Sequence, residues 1–325
     1  MRRRDFIAGL GGAATWPVVA RAQQPAMPVI GYLSARASDA EGALRGPFLK
    51  ALEAAGFFVG RNVAIEYRFA DGREDRLPLL ASDLVRRPVT LLTAFGRDTA
   101  LVAKAATATI PIVFASGLDP VRDGLVDSLN RPGGNATGIS LFTVELGPKR
   151  LALVRELVPS SGTIAFVVDT QNSTTPIQRE EMRKAAQSAG QPLLMIEANT
   201  EEELRIAFEK ISERNVAAVV FGASQHFQVI SEKLVALAAR HRIPALYEWR
   251  EFVAAGGLMS YSTSRTEYAS LAGAYAGRIL KGEKPADLPV VQSTKFELVI
   301  NLKTAEALDL KIPPSLLARA DEVIE

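Results

Sequence analysis

The chain of 325 residues contains no cysteine and only two histidines, and its formal net charge is +2. Without thiols there is no disulfide, no thiolate nucleophile, no iron–sulfur cluster, no cysteine-ligated zinc and no lipid-modified cysteine anchor. Two histidines cannot build a histidine-rich metal site. A charge so close to neutral leaves no basic excess for a nucleic-acid footprint, so nucleic acid is not an expected partner. What remains is the composition of a globular protein, 48% hydrophobic and 23% charged, long enough for one large or two medium domains.

The first residues account for the positive sign. Arg2, Arg3 and Arg4 precede a weakly apolar stretch from Phe6 to Ala20, followed by Ala20-Arg21-Ala22, the small-x-small pattern of a signal-peptidase site. The apolar stretch is too short, and too broken by glycine and proline, to span a membrane. Arg3-Arg4-Asp5-Phe6-Ile7 matches the twin-arginine export pattern. Residues 1–22 are therefore expected to be a signal peptide, cleaved after Ala22, and the mature protein to be periplasmic. Losing four arginines and one aspartate takes the formal charge from +2 to about −1.

Beyond the leader the chain alternates. Short apolar runs suited to buried parallel strands occur at Val29–Leu33, Val63–Phe69, Val89–Phe95, Ile110–Ala115, Thr163–Val168, Pro192–Ile196, Val216–Phe221 and Ile243–Tyr247. Helical stretches separate them. One is expected from a Ser38 cap through Leu52 to a stop at Gly56, and another from Pro176 to a stop at Gly190. Thr200 with Glu203 reads as a capping box. Repeated strand–helix–strand units mean an α/β protein with right-handed crossovers. The rhythm breaks at Asn130-Arg131-Pro132-Gly133-Gly134-Asn135, with about four units on each side, so two sheets are expected. A strand at Gly257–Tyr261, a long helix from Arg265 to Leu280 and an alternating run at Phe296–Asn301 follow.

Several phrases then carry a resemblance: Ile30-Gly31-Tyr32-Leu33-Ser34, Thr109–Ala115 with Asp119-Pro120-Val121, Arg131–Gly138, and the tail from Lys295 to Glu325 with Phe296-Glu297-Leu298-Val299-Ile300-Asn301. Together they resemble the ABC transporter substrate-binding proteins of the tryptophan-binding group, across essentially the whole mature chain. The resemblance implies a periplasmic binding protein fold: two lobes, each a mostly parallel sheet flanked by helices, joined by a three-segment hinge. Lobe 1 would hold 27–139 plus 262–288, and lobe 2 would hold 140–261 plus 289–325. It also implies a small-molecule ligand between the lobes, a permease partner in the inner membrane, a monomer, no cofactor and no enzymatic activity.

The residues fit a ligand cleft on their own terms. In open α/β sheets ligands bind beyond the carboxyl ends of strands, where helix N-termini offer free N–H groups and a positive dipole end. The loops at those ends supply candidate ligand-binding residues: Ser34, Ala35, Gly96, Arg97, Asp98, Thr99, Ser116 and Asp119 in the first half, and Asp169, Asn172, Ser173, Ser224 and Tyr247 in the second. The expected ligand, an amino acid or an organic acid, carries a carboxylate held by N–H groups near Asp98-Thr99 and by the Ser34 and Ser116 hydroxyls. Arg97 either enters the cleft to pair with it or stays solvated. Asp119 either faces a ligand ammonium or caps a helix over Val121–Leu129. Each of these polar residues is also an ordinary helix cap. Ala223-Ser224 departs from the family's common Thr-Asp pair.

Other classes find little support. No Gly-x-Ser-x-Gly elbow accompanies His226 or His241, which read as structural; Gly133-Gly134 lacks the lysine of a phosphate-binding loop. A ligand-sensing subunit of a signalling system, or a hydrolase with an unrecognised site, is the alternative to transport. The export reading makes a direct prediction. Replacing Arg3 and Arg4 together by lysine should strand precursor in the cytoplasm, seen by cell fractionation; normal periplasmic accumulation would remove the twin-arginine assignment.

Overall fold

The computed structural model describes residues 27–38, 41–141, 143, 146–158 and 162–325; the expected signal segment lies outside them. Within them the strands are β1 (Val29–Ser34), β2 (Ala64–Phe69), β3 (Leu91–Phe95), β4 (Ile112–Ser116), β5 (Ala136–Ser140), β6 (Ile164–Val168), β7 (Leu193–Glu197), β8 (Ala218–Phe221), β9 (Ala245–Tyr247), β10 (Met259–Thr263), β11 (Val291–Gln292), β12 (Phe296–Asn301) and β13 (Glu322–Ile324). They form two sheets, ordered β11-β5-β4-β3-β1-β2 and β13-β12-β10-β9-β8-β6-β7. Every pairing is parallel except that of β10 with β12. Each sheet is flanked by helices, giving the expected two α/β lobes. Buried runs such as Leu91–Phe95 and Ile164–Val168 are continuous because both faces of a parallel sheet are covered.

The order of strands sets where a ligand can sit. In the first sheet the chain direction of winding reverses between β1 and β3, and in the second between β6 and β8. Crossovers there leave on opposite faces and open a crevice at the strand carboxyl ends. Of the caps that the sequence suggests, the one at Thr200 forms. Thr200 Oγ1 accepts from the Glu203 N–H at 3.2 Å while the Glu203 carboxylate accepts from the Thr200 N–H at 3.0 Å, a complete capping box.

The chain crosses between sheets after β5, after β10 and after β11. Four expectations need correction. The turn-rich stretch at 130–138 ends in a strand, β5, because Gly138 lets it lie against β4: a Cβ there would collide with the Phe114 backbone. Val291 pairs with Ile139, so the third crossing falls after Gln292 and not before Pro289. No helix forms over Val121–Leu129; the segment is a series of turns, broken at Gly124 with φ +71°. The helix expected from a Ser38 cap begins at Gly42 after Glu41, without a side-chain cap.

The first lobe is finished by a late segment. Helix Arg265–Leu280 returns from the second sheet and packs along helix Gly42–Ala54. A Cβ on Gly273 would run into the Phe48 carbonyl oxygen and come within 3.0 Å of Ala51 Cβ. The backbones are therefore in contact, and no flexible side chain can give way. Gly273→Ala should destabilise the protein by about 1–3 kcal/mol, the usual cost of overpacking, measured by urea unfolding; an unchanged midpoint would show that the two helices separate freely.

Candidate functional site

Six strand ends meet in one cavity between the sheets. From the first sheet come Ala35 and Arg36 after β1, Phe95 to Thr99 after β3, and Gly117 after β4; from the second, Asn172 and Thr174 after β6, Ala223 to Gln225 after β8, and Glu248 and Trp249 after β9. Glu74, Gln228 and Tyr268 complete the wall. The switch point of each sheet opens into it.

Side chains bridge the cavity from one sheet to the other. Arg36 Nε donates to Gln225 Oε1 at 3.2 Å. Ser173 Oγ donates to Asp98 Oδ2 at 2.9 Å and accepts from Arg97 Nη1 at 3.2 Å. Arg265 donates through Nη2 to Gln228 Oε1 at 2.8 Å and through Nη1 to Glu251 Oε1 at 2.9 Å, while its guanidinium lies 4.1 Å from the centre of the Trp249 ring. Charge-assisted bonds of this kind are the stronger class, and the cation over the indole face adds to them. The two sheets are held together over the cavity.

The wall carries buried charge. Burial pushes the Glu248 carboxyl up, opposed chiefly by Arg150; burial, with Asp98 and Asp169 nearby, pushes Glu74 up as well. Burial and the neighbouring Arg36 hold the Arg265 guanidinium down. Several buried donors find no acceptor among the described residues: Arg36 Nη1, Trp249 Nε1 and Arg265 Nε, alongside the acceptor Glu251 Oε2. No group of three or more acidic or histidine side chains among the described residues is placed to hold a metal.

Of the residues singled out in the sequence, Ala35, Gly96, Arg97, Asp98, Thr99, Asn172 and Ser224 line this cavity, and Ser173 reaches across its edge. Arg97 is tied down, its Nε and Nη2 bonded to the two oxygens of Asp123 at 2.9 and 3.0 Å. Ser34 does not face the cavity; it donates to Glu41. Ser116 is buried and its Oγ accepts from the Leu118 N–H at 3.3 Å. Asp119 is exposed and caps its turn through Val121 N–H at 2.9 Å. Asp169 is likewise occupied, accepting from Ser224 Oγ at 2.6 Å. Tyr247 turns into the core, stacked between Phe221 at 5.1 Å and Phe252 at 4.9 Å. The aromatics that do reach the cavity are Phe95, Trp249 and Tyr268. Arg36, Gln228 and Tyr268 gave no signal in sequence, because a single charge in a loop and an aromatic on a helix read as solvated and core residues.

The family model for ABC transporter substrate binding protein matches residues 29–324. The chain belongs to that family. Among substrate binding proteins it is similar to the tyrosine-binding protein of Clostridioides difficile, 28% identical over 266 residues that cover 81% of this chain and 76% of that one. It shares its fold with an ABC domain from Streptococcus pneumonia solved in complex with L-Trp, at 24% identity, covering 91% of this chain and 99% of that chain with a TM-score of 0.82. A substrate binding protein with adhesive properties from Clostridium difficile, solved ligand-free and open, is 25% identical over the same shares of the two chains, with a TM-score of 0.70.

The stacked position of Tyr247 separates its role from that of the cavity wall. Tyr247→Ala should cost about 3–5 kcal/mol of stability, as deletion of a buried ring does, while Tyr247→Phe should leave the urea midpoint within experimental scatter. A large loss of stability in the phenylalanine variant would instead give the hydroxyl a structural partner.

Proposed function

We propose that this substrate binding protein is exported to the periplasm, captures an amino acid between its two lobes, and delivers it to an ABC permease in the inner membrane. Its mechanism is binding and closure without chemistry. The observation that carries the reading is the cavity at the facing strand ends, sealed by side chains from both sheets and lined by groups of both charges. Glu74, Asp98 and Glu248 suit an ammonium; buried N–H donors suit a carboxylate; Phe95, Trp249 and Tyr268 suit a side chain with an apolar or aromatic face. The relative named for tyrosine and the neighbour holding L-Trp favour the same class.

Closure follows from the geometry. A ligand touching both lobes binds the closed arrangement better than the open one, and the equilibrium shifts by that difference in affinity. The bonds of Ser173 with Asp98 and of Arg36 with Gln225 form only when the lobes meet, so they add to the closed state of every ligand and discriminate among none.

L-Tyrosine and L-tryptophan are the first probes. Binding should shrink the radius of gyration in solution scattering and raise the melting temperature; at a hundredfold excess over Kd the gain is about 2.7 kcal/mol. A tight ligand that leaves the scattering curve unchanged would overturn closure, and a preference for neutral sugars over all amino acids would overturn the ligand class.

A further inference from the structure

The wall of the cleft contains donors that the protein leaves unsatisfied, and two of them belong to residues that line it from opposite lobes. Arg36, 8% exposed, follows β1 of the first sheet; Trp249, 4% exposed, follows β9 of the second. Arg36 Nη1 and Trp249 Nε1 have no acceptor among the described residues, although the other edge of the guanidinium is anchored on Gln225. A buried donor left unmade costs free energy, more so on a charged group. Two such donors face the same cavity from opposite lobes, which identifies the missing partner as an acceptor supplied from outside the chain.

The charges around them narrow that partner further. Arg265 is paired with Glu251 at 2.9 Å, and the charge of Glu248 is favoured most by Arg150. Arg97 is paired with Asp123 and Asp98. Arg36 has only the neutral amide of Gln225, with Glu41 and Glu251 acting at longer range. A planar guanidinium with one free edge is suited to an oxygen anion, and an indole N–H donates but cannot accept.

We infer that Arg36 Nη1 and Trp249 Nε1 together form the carboxylate end of the cleft, one donor from each lobe. The inference rests on the amino-acid reading above and moves the anion away from the Arg97–Thr99 turn, whose arginine is occupied. It gives closure a chemical cause, because the carboxylate has both donors only when the lobes come together. The Arg265 guanidinium, 4.1 Å from the centre of the indole, holds the Trp249 ring and with it the direction of its N–H.

The test is calorimetric titration of the full chain with each of the twenty L-amino acids and, for the tightest, its decarboxylated amine. Wild type should prefer the amino acid over the amine. Arg36→Gln removes the Gln225 bond for both ligands alike, but should weaken the amino acid at least tenfold more than the amine and so collapse the preference. Trp249→Phe keeps the ring, serves if the Arg36 variant does not fold, and should lower the preference several-fold. Full preference retained by either folded variant would overturn this assignment while leaving the amino-acid reading intact. A wild-type protein that binds amine and amino acid equally, or only neutral sugars, would overturn the reading and the assignment together.

Discussion

The three crossings between the sheets run side by side and are laced to one another, and the site exists because of that lacing. Thr263 Oγ1, at the end of β10, donates to the Leu141 carbonyl of the first crossing at 2.6 Å. The Ser264 N–H donates to the Lys295 carbonyl of the third at 2.9 Å, and the Ser293 N–H to the Ser140 carbonyl at 3.0 Å. Glu267, in the first turn of helix Arg265–Leu280, accepts from Ser293 Oγ and from the Lys295 N–H. All three segments are therefore tied into one strap. With that strap between the sheets, the carboxyl ends of the two sets of parallel strands face each other across the cavity.

Such a gap accumulates buried charge, which a protein interior tolerates poorly. The chain meets the cost by assigning partners within reach: Asp123 to Arg97, Glu251 to Arg265, Glu41 to the hydroxyls of Tyr32 and Ser34. Arg36, Gln225, Arg265 and Gln228 reach their partners on long side chains that end in amide or guanidinium, whereas Ser173 and Asp98 meet on short ones. Apolar packing continues behind them: one cluster of buried side chains extends from Ile30 and Phe95 through Leu141 to Val167 and Phe221. Away from bulk water each interaction in this seam is stronger, because the local dielectric is lower.

The architecture was legible where apolar runs are long. Strands such as Leu91–Phe95 and Ile164–Val168 and the capped helix from Glu201 stand where the periodicity puts them. β5 hid behind asparagine, proline and glycine, residues that sequence reading assigns to turns, and β11 is two residues long. The expected helix after Asp119 failed because Gly124 takes a left-handed conformation. Half of the site was legible as loops at strand ends, yet the direction of each side chain was not. Ser34 and Ser116 end their strands pointing into the fold, and Tyr247 does likewise; Trp249, two residues further, has left the strand and so escapes its alternation. Arg36 became visible only when the second sheet was placed opposite the first.

The late return of the chain to the first lobe has a consequence for assembly. Helix Arg265–Leu280 covers the sheet begun at Val29, and β11, at residues 291–292, forms its last edge. More than two hundred residues separate the first strand from the pieces that complete its lobe. During synthesis the N-terminal half emerges as an unfinished sheet, with one face uncovered and the β5 edge unpaired, until nearly the whole chain has been made. Contacts so distant in sequence are slow to form, and an unfinished edge of that kind is where association with other chains begins. The first lobe is thus one unit in space but not along the chain: its first strand and its last edge stand near opposite ends of the sequence.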